Sequence, residues 1–144
     1  MERAWNSIGT LGGGNHFIEI NEVSDDTVAL VIHSGSRNMG KQIAEYYQNR
    51  AYDELMDMSK QKEELMERLK KEGREEEFEE EIKKLKKPTI KKALAYLENE
   101  RFRQYLNDMA IAQKYANLNR KAMVDIIVSN MGWEVVDSFT TIHN

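Results

Sequence analysis

The sequence predicts an α+β (α/β) chain, with mixed strands, long helices and a protruding charged helical hairpin. Three observations predict it. HFIEI and TVALVIH are short runs of strand character near the N-terminus. Residues 98–131 hold neither glycine nor proline and carry apolar side chains at helical intervals. Residues 60–87 are dominated by Lys, Arg and Glu, with Gly73 as an interruption and Pro88 as a stop.

The elements follow in order. HFIEI reads as a strand and NEVSDD as a polar turn. TVALVIH, residues 27–33, is apolar at nearly every position, which predicts a strand buried on both faces. SGSRNMG is a small polar loop. From about Lys41 a helix is expected, with Ile43, Tyr47, Ala51 and Leu55 or Met58 along one side. The charged arm, an insertion over residues 56–88, reads as two helices folded back on each other. Leu65 and Leu69 form one thin stripe; Phe78, Ile82 and Leu85 form the other. Glu64–Arg68, Glu67–Lys71, Glu79–Lys83 and Glu80–Lys84 stand at i, i+4 spacing and are expected to pair. After the arm, one long helix should place Phe102, Leu106, Met109, Ile111, Tyr115, Leu118 and Ala122 in packing positions, closed by Gly132. WEVVDSFTTIHN reads as a last strand.

Composition narrows the function classes. The chain has 144 residues, enough for one ordinary domain. Charged residues make up 32% and no run of about 18 apolar residues occurs, so a soluble chain without a membrane span is expected. MERAWNSIGT lacks the apolar core of a signal peptide, which points to the cytoplasm. Cysteine is absent, which excludes disulfides and thiolate chemistry within these residues. The net charge of -4 carries no general signal for nucleic acid, so any such contact must come from a local patch.

The chemistry-bearing residues cluster at strand ends. The three histidines, His16, His33 and His143, each open or close a strand pattern beside small or amide residues. Imidazole is the commonest metal ligand, and three of them suit a first-row divalent ion. Residue spacing alone does not choose the metal. In GGGNHFIEI, strand alternation sends Asn15, Phe17 and Glu19 one way and His16 and Ile18 the other. The stretch can thus offer an amide and a carboxylate to one ligand and an imidazole to another. The three glycines permit close approach of backbone and ligand; alone, they read equally as a flexible connector. SGSRNMGK joins a strand to a helix, where backbone donors and the Arg37 fork suit a phosphate. Its spacing is not that of a Walker loop.

GGGNHFIE, HSGSRNMGKQIA, YLNDMAIAQKYANLNR and the terminal IHN, in this order, resemble the RtcB family of RNA-splicing ligases. The four segments span most of the chain outside the charged arm. The resemblance implies a partial RtcB-like domain covering residues 1–144. It implies an enzyme that joins an RNA 3′-phosphate or 2′,3′-cyclic phosphate to a 5′-hydroxyl, with GTP and Mn2+ (two metals in the family) as cofactors and tRNA halves or broken RNA as partners. By this resemblance His16, His33 and His143 are metal ligands. Asn15, His16, Phe17, Ile18, Glu19, His143 and Asn144 line the nucleotide site, with Glu19 reading the guanine. Ser36 and Arg37 hold an RNA phosphate. Asn119 and Arg120, on the long helix, are further candidates for reaching the site.

The family's upstream Asp and Cys, and its downstream guanylylated histidine, have no counterpart in these residues. The expectation is therefore the central part of a ligase, inactive by itself, with apolar surface left open to self-association or to flanking segments that complete the site. Two other readings remain open at this stage. One is a stand-alone three-histidine metal-binding domain; the other is a helical protein-interaction module built on a decayed ligase core.

Overall fold

A computed structural model describes residues 5–142. Strand β1 (Phe17–Ser24) pairs antiparallel with β2 (Thr27–His33) in a two-stranded sheet. Four α-helices follow: α1 (Asn38–Met56), α2 (Ser59–Glu72), α3 (Phe78–Lys84) and α4 (Asn99–Met131). Short 3₁₀ turns lie at Glu75–Glu77 and Lys92–Leu94. The fold is mixed α+β. No helix among the described residues is long and apolar enough to cross a membrane.

The chain divides into two compact units. One holds the described residues up to Ala44 and from Asn99 onward; the other is Glu45–Glu98.

In the first unit, β1 runs further than the sequence suggests. NEVS continues the strand, and only Asp25 and Asp26 turn the chain. The register pairs Phe17 with His33, Glu19 with Val31 and Ser24 with Thr27, with an irregularity between Glu22 and Ser24. A bulge of this kind adds twist beside the turn. The burial expected for TVALVIH is not found. Val28 and Val31 are exposed, as are Phe17, Ile18, Ile20 and Val23 on β1. The physical reason is that, among the described residues, the two strands have no third strand beside them, and α4 touches β2 at a few positions only.

Helix α4 starts and stops close to the expected positions. Gly132, at φ 65°, adopts the left-handed conformation, and the Trp133 amide donates to the Val128 carbonyl at 3.1 Å. That closure satisfies a terminal carbonyl the helix cannot. The buried side of α4 shares only Tyr115 with the expected one. It consists of Ala112, Tyr115, Ala116, Asn119 and Met123, while Phe102, Leu106, Ile111, Leu118 and Ile126 are exposed. Apolar residues occupy more than one side of this helix, so periodicity alone could not choose the packed side. WEVVDSFTTI forms no strand: residues 133–142 carry no regular structure. Its β-branched residues suit a sheet, but no strand lies beside it among the described residues, and a strand without a partner does not form.

In the second unit, α2 packs on the 3₁₀ turn and α3. Leu65 and Leu69 are the buried side chains of α2, as their spacing suggests. Gly73, at φ 69°, ends the helix: its own amide reaches Lys70 and the Arg74 amide reaches Leu69. The ion pairs are not those expected at i, i+4. Arg74 bridges Glu72 at 2.9 Å and Glu77 at 2.6 Å, and Lys84 meets Glu81 at 2.7 Å. Lys60–Glu64 and Arg68–Glu72 supply longer i, i+4 contacts. Hydrogen bonds from Arg74 and Lys84 hold the Glu77 and Glu81 carboxyls below the usual carboxylate range. A depressed carboxyl stabilises the fold above its unfolded pKa, and this contribution is lost as pH falls through the folded value. Both pairs lie at the surface with exposed cationic partners, so the contribution is small.

Among the described residues the hairpin has open faces and no strand paired to its outer edges, which predicts association. Exposed apolar strands are templates for association. Sedimentation velocity should show concentration-dependent association of the 144-residue chain; a monomer at all concentrations would contradict this.

Candidate functional site

The site is built around Asn119, which is fully buried in α4. Helical spacing puts Tyr115 and Asn119 on the same side, one turn apart. The Asn119 Oδ1 accepts from the Gly9 amide at 2.8 Å and from the Thr10 amide at 3.3 Å. Its Nδ2 donates to the Thr10 carbonyl at 3.1 Å and to Ser34 Oγ at 3.2 Å. Ser34, also fully buried, donates in turn to the Leu11 carbonyl at 2.9 Å. One amide side chain therefore fastens the glycine-rich loop, the end of β2 and α4 together.

Arg120 extends this clamp on its other flank. Its Nη1 donates to the Ser34 carbonyl at 2.9 Å. Its Nη2 reaches Asn117 Oδ1, Thr140 Oγ1 at 2.8 Å and the Thr141 carbonyl at 3.2 Å. Burial lowers the Arg120 pKa, but a guanidinium remains charged throughout the ordinary pH range. The segment leading to His143 is thus tied to the same helix as the loop leading to His16. Residues 143 and 144 lie outside the described residues, so the placements expected for His143 and Asn144 go with them.

The clamp presents two histidines together. His33 ends β2 opposite Phe17, and the two rings stack with centroids 5.2 Å apart and planes 10° from parallel. His16 immediately precedes β1, so strand alternation does not bind it, and its ring centroid lies 6.0 Å from that of His33. With metal–nitrogen bonds of about 2.1 Å, two imidazoles at this spacing can face a common ion after small rotations. The donor set fits a first-row divalent cation. Among the described residues no group of three or more His, Cys, Asp or Glu side chains stands ready for a metal, so a third ligand must come from elsewhere. Glu19 lies across from Val31 on the Phe17 face of the hairpin, and Asn15 is exposed just before it. His33, by register, is on this same face, so the separation of metal and nucleotide faces suggested by HFIEI is not strict.

Arg37 lies between the loop and His16. Its backbone is left-handed, at φ 57°, which is uncommon for a residue with a side chain. Its Nη1 donates to the Leu11 carbonyl at 3.1 Å and approaches His16 Nδ1 at 3.3 Å. Gly12 is required beneath it. A Cβ there would fall 1.2 Å from Nη1 and 2.2 Å from Cζ, and Gly12 itself sits at φ 91°. Any side chain at Gly12 would displace the guanidinium. Ser36 is close by, its Oγ 2.2 Å from where a Cβ on Gly40 would stand. Burial raises the Tyr115 phenol pKa, and the Arg37 charge opposes that rise.

Comparison with known proteins identifies the family. The family model described as tRNA-splicing ligase RtcB matches residues 1–140. The chain belongs to the RtcB family. RNA-splicing ligase RtcB of Escherichia coli K12 is 34% identical over 122 residues, covering 85% of this chain and 24% of that protein. The RtcB1 protein of a second Escherichia coli strain matches to the same extent. RNA-splicing ligase RtcB of Mycobacterium tuberculosis is 37% identical over a shorter stretch, covering 30% of this chain and 13% of that protein. The chain thus spans about a quarter of the length of the Escherichia coli RtcB proteins. No solved structure is a significant match.

Of the residues singled out in the sequence, His16, His33 and Arg37 lie together, and Asn119 and Arg120, named there only as further candidates, form the clamp behind them. It passed over Ser34 and the partnership of Gly12 with Arg37. Ser34 left a faint signal as a small polar residue at the end of an apolar strand. The Gly12–Arg37 contact left none, because it joins two loops whose approach no local pattern encodes.

Proposed function

We propose that the chain is the central part of a GTP- and manganese-dependent RNA ligase joining an RNA 3′-phosphate or 2′,3′-cyclic phosphate to a 5′-hydroxyl end. RtcB family membership supports the ligase reading. The observation that carries it to a site is the approach of the His16 and His33 rings to 6.0 Å beside Arg37.

In this reading His16 and His33 hold a manganese ion, with His143 as the third imidazole. Bound there, manganese would neutralise phosphate charge and orient the attacking group. Asn15, Phe17, Ile18 and Glu19 form the nucleotide edge, with Asn144 beside them. The Glu19 carboxylate accepts hydrogen bonds from the guanine ring N–H and amino group, and the Asn15 amide can both donate and accept. The Phe17 ring offers an apolar surface to the base. Arg37, with Ser36, holds a phosphate of the RNA: its planar fork donates to two phosphate oxygens at once. Asn119 and Arg120 act at a distance, by fixing the loops on which these groups sit.

The reading predicts His16-dependent and His33-dependent metal binding. Mn2+ titrations followed by electron paramagnetic resonance should show binding to the chain. His16→Ala and His33→Ala should each weaken it about tenfold or more, a loss of about 1.4 kcal/mol at least. Binding unchanged in both variants would contradict the proposal.

A further inference from the structure

We propose that Arg37 gates the metal site: its guanidinium holds the only lone pair of the His16 imidazole and must leave before a divalent cation can bind there. The inference rests on the reading of His16 as a metal ligand, and concerns what controls that ligand.

The argument is one of donors and acceptors. A guanidinium has five N–H donors and no acceptor. In the contact of Arg37 Nη1 with His16 Nδ1 at 3.3 Å, Nδ1 is therefore the acceptor, and a ring that accepts there carries its N–H on Nε2. A neutral imidazole has one such lone pair, and a metal ion needs that same pair. Coordination through Nδ1 requires the guanidinium to withdraw. Coordination through Nε2 requires the proton to move to Nδ1, where it would face the N–H of Arg37. By either nitrogen, Arg37 and the cation exclude each other, and the repulsion between their charges acts the same way.

The surroundings show that this pose is built and also incomplete. Gly12 leaves the space the guanidinium fills, and the Leu11 carbonyl accepts from the same Nη1 at 3.1 Å. Arg37 itself holds a left-handed backbone conformation. Yet Arg37 Nε is buried with no hydrogen-bond partner among the described residues. A phosphate oxygen is the partner that a guanidinium lacking one would take. Arrival of a phosphate would therefore draw Arg37 off His16 and open the imidazole to the cation, so that metal and phosphate binding reinforce each other.

Mn2+ binding to the 144-residue chain, to Arg37→Met and to His16→Ala, read by electron paramagnetic resonance, tests the gate. Arg37→Met should bind Mn2+ about tenfold more tightly than the unaltered chain, and His16→Ala should abolish the gain. A second readout needs no metal. The ¹⁵N spectrum of His16 in the unaltered chain should show an unprotonated Nδ1 and a protonated Nε2, and inorganic phosphate should loosen that preference. His16-dependent binding that is no tighter in Arg37→Met would overturn the gate and leave the metal site standing. A protonated Nδ1 in the metal-free chain would overturn the gate as well. Mn2+ binding that ignores His16 in every variant would overturn both the gate and the ligand assignment.

Discussion

Asn119→Ala should destabilise the unit that holds the hairpin by about 2–4 kcal/mol, read from urea denaturation. The side chain is fully buried and makes four hydrogen bonds, two as acceptor and two as donor. Alanine leaves the Gly9 and Thr10 amides, the Thr10 carbonyl and Ser34 Oγ without it. Each buried group left unpaired costs about 1–3 kcal/mol, and water entering at the partly exposed loop recovers some of that loss. Asn119→Asp sharpens the test. It preserves the shape but replaces the donating Nδ2 with an oxygen facing the Thr10 carbonyl. It should therefore cost at least as much as alanine. If both variants unfold at the midpoint of the unaltered chain, the clamp does not hold the loop.

Leu69→Ala should cost about 2–5 kcal/mol and melt the arm before the rest of the chain. Leu69 is fully buried, and Leu65 one turn earlier is nearly so. No residue of the 3₁₀ turn or α3 is fully buried. Removing the larger part of so small a core leaves α2 dependent on its own helical propensity, which does not sustain a helix of this length in water. Exposed ion pairs at Arg74 and Lys84 cannot replace that burial. The expected observation is a loss of helical circular dichroism in Leu69→Ala at temperatures where the unaltered chain is fully helical. An unchanged melting curve would show that the arm is held by something other than its leucine stripe.

How much of this was legible in the sequence depended on whether the signal was local. The bounds of α4 could be read because an uninterrupted run of helix-compatible residues ends at Gly132, and a C-terminal glycine has a local conformational cause. Gly73 ended α2 for the same reason. The register of the hairpin was only partly visible. Strand alternation described Phe17 and Glu19 correctly, but His16 sits just outside the strand, where alternation has no hold. The terminal WEVVDSFTTI misled because β propensity describes fitness for a sheet and does not supply a partner strand. The packed side of α4 was misjudged because Ile111 and Leu118 offered an apolar side that nothing among the described residues covers. At the site, the histidines were legible as a residue type of limited number and special chemistry. The role of Asn119 was not, because a polar residue on a helix usually faces water; only its spacing from Tyr115 hinted at burial. Gly12 and Arg37 could be linked only once the loops were placed in space.

The central claim is that His16 and His33 share one divalent ion, and pulsed electron paramagnetic resonance of the Mn2+-loaded chain tests it most directly. Modulations from imidazole nitrogen should report at least two coordinated rings, with one lost in His16→Ala and one in His33→Ala. A manganese spectrum free of imidazole nitrogen, or one that neither substitution alters, would contradict the account.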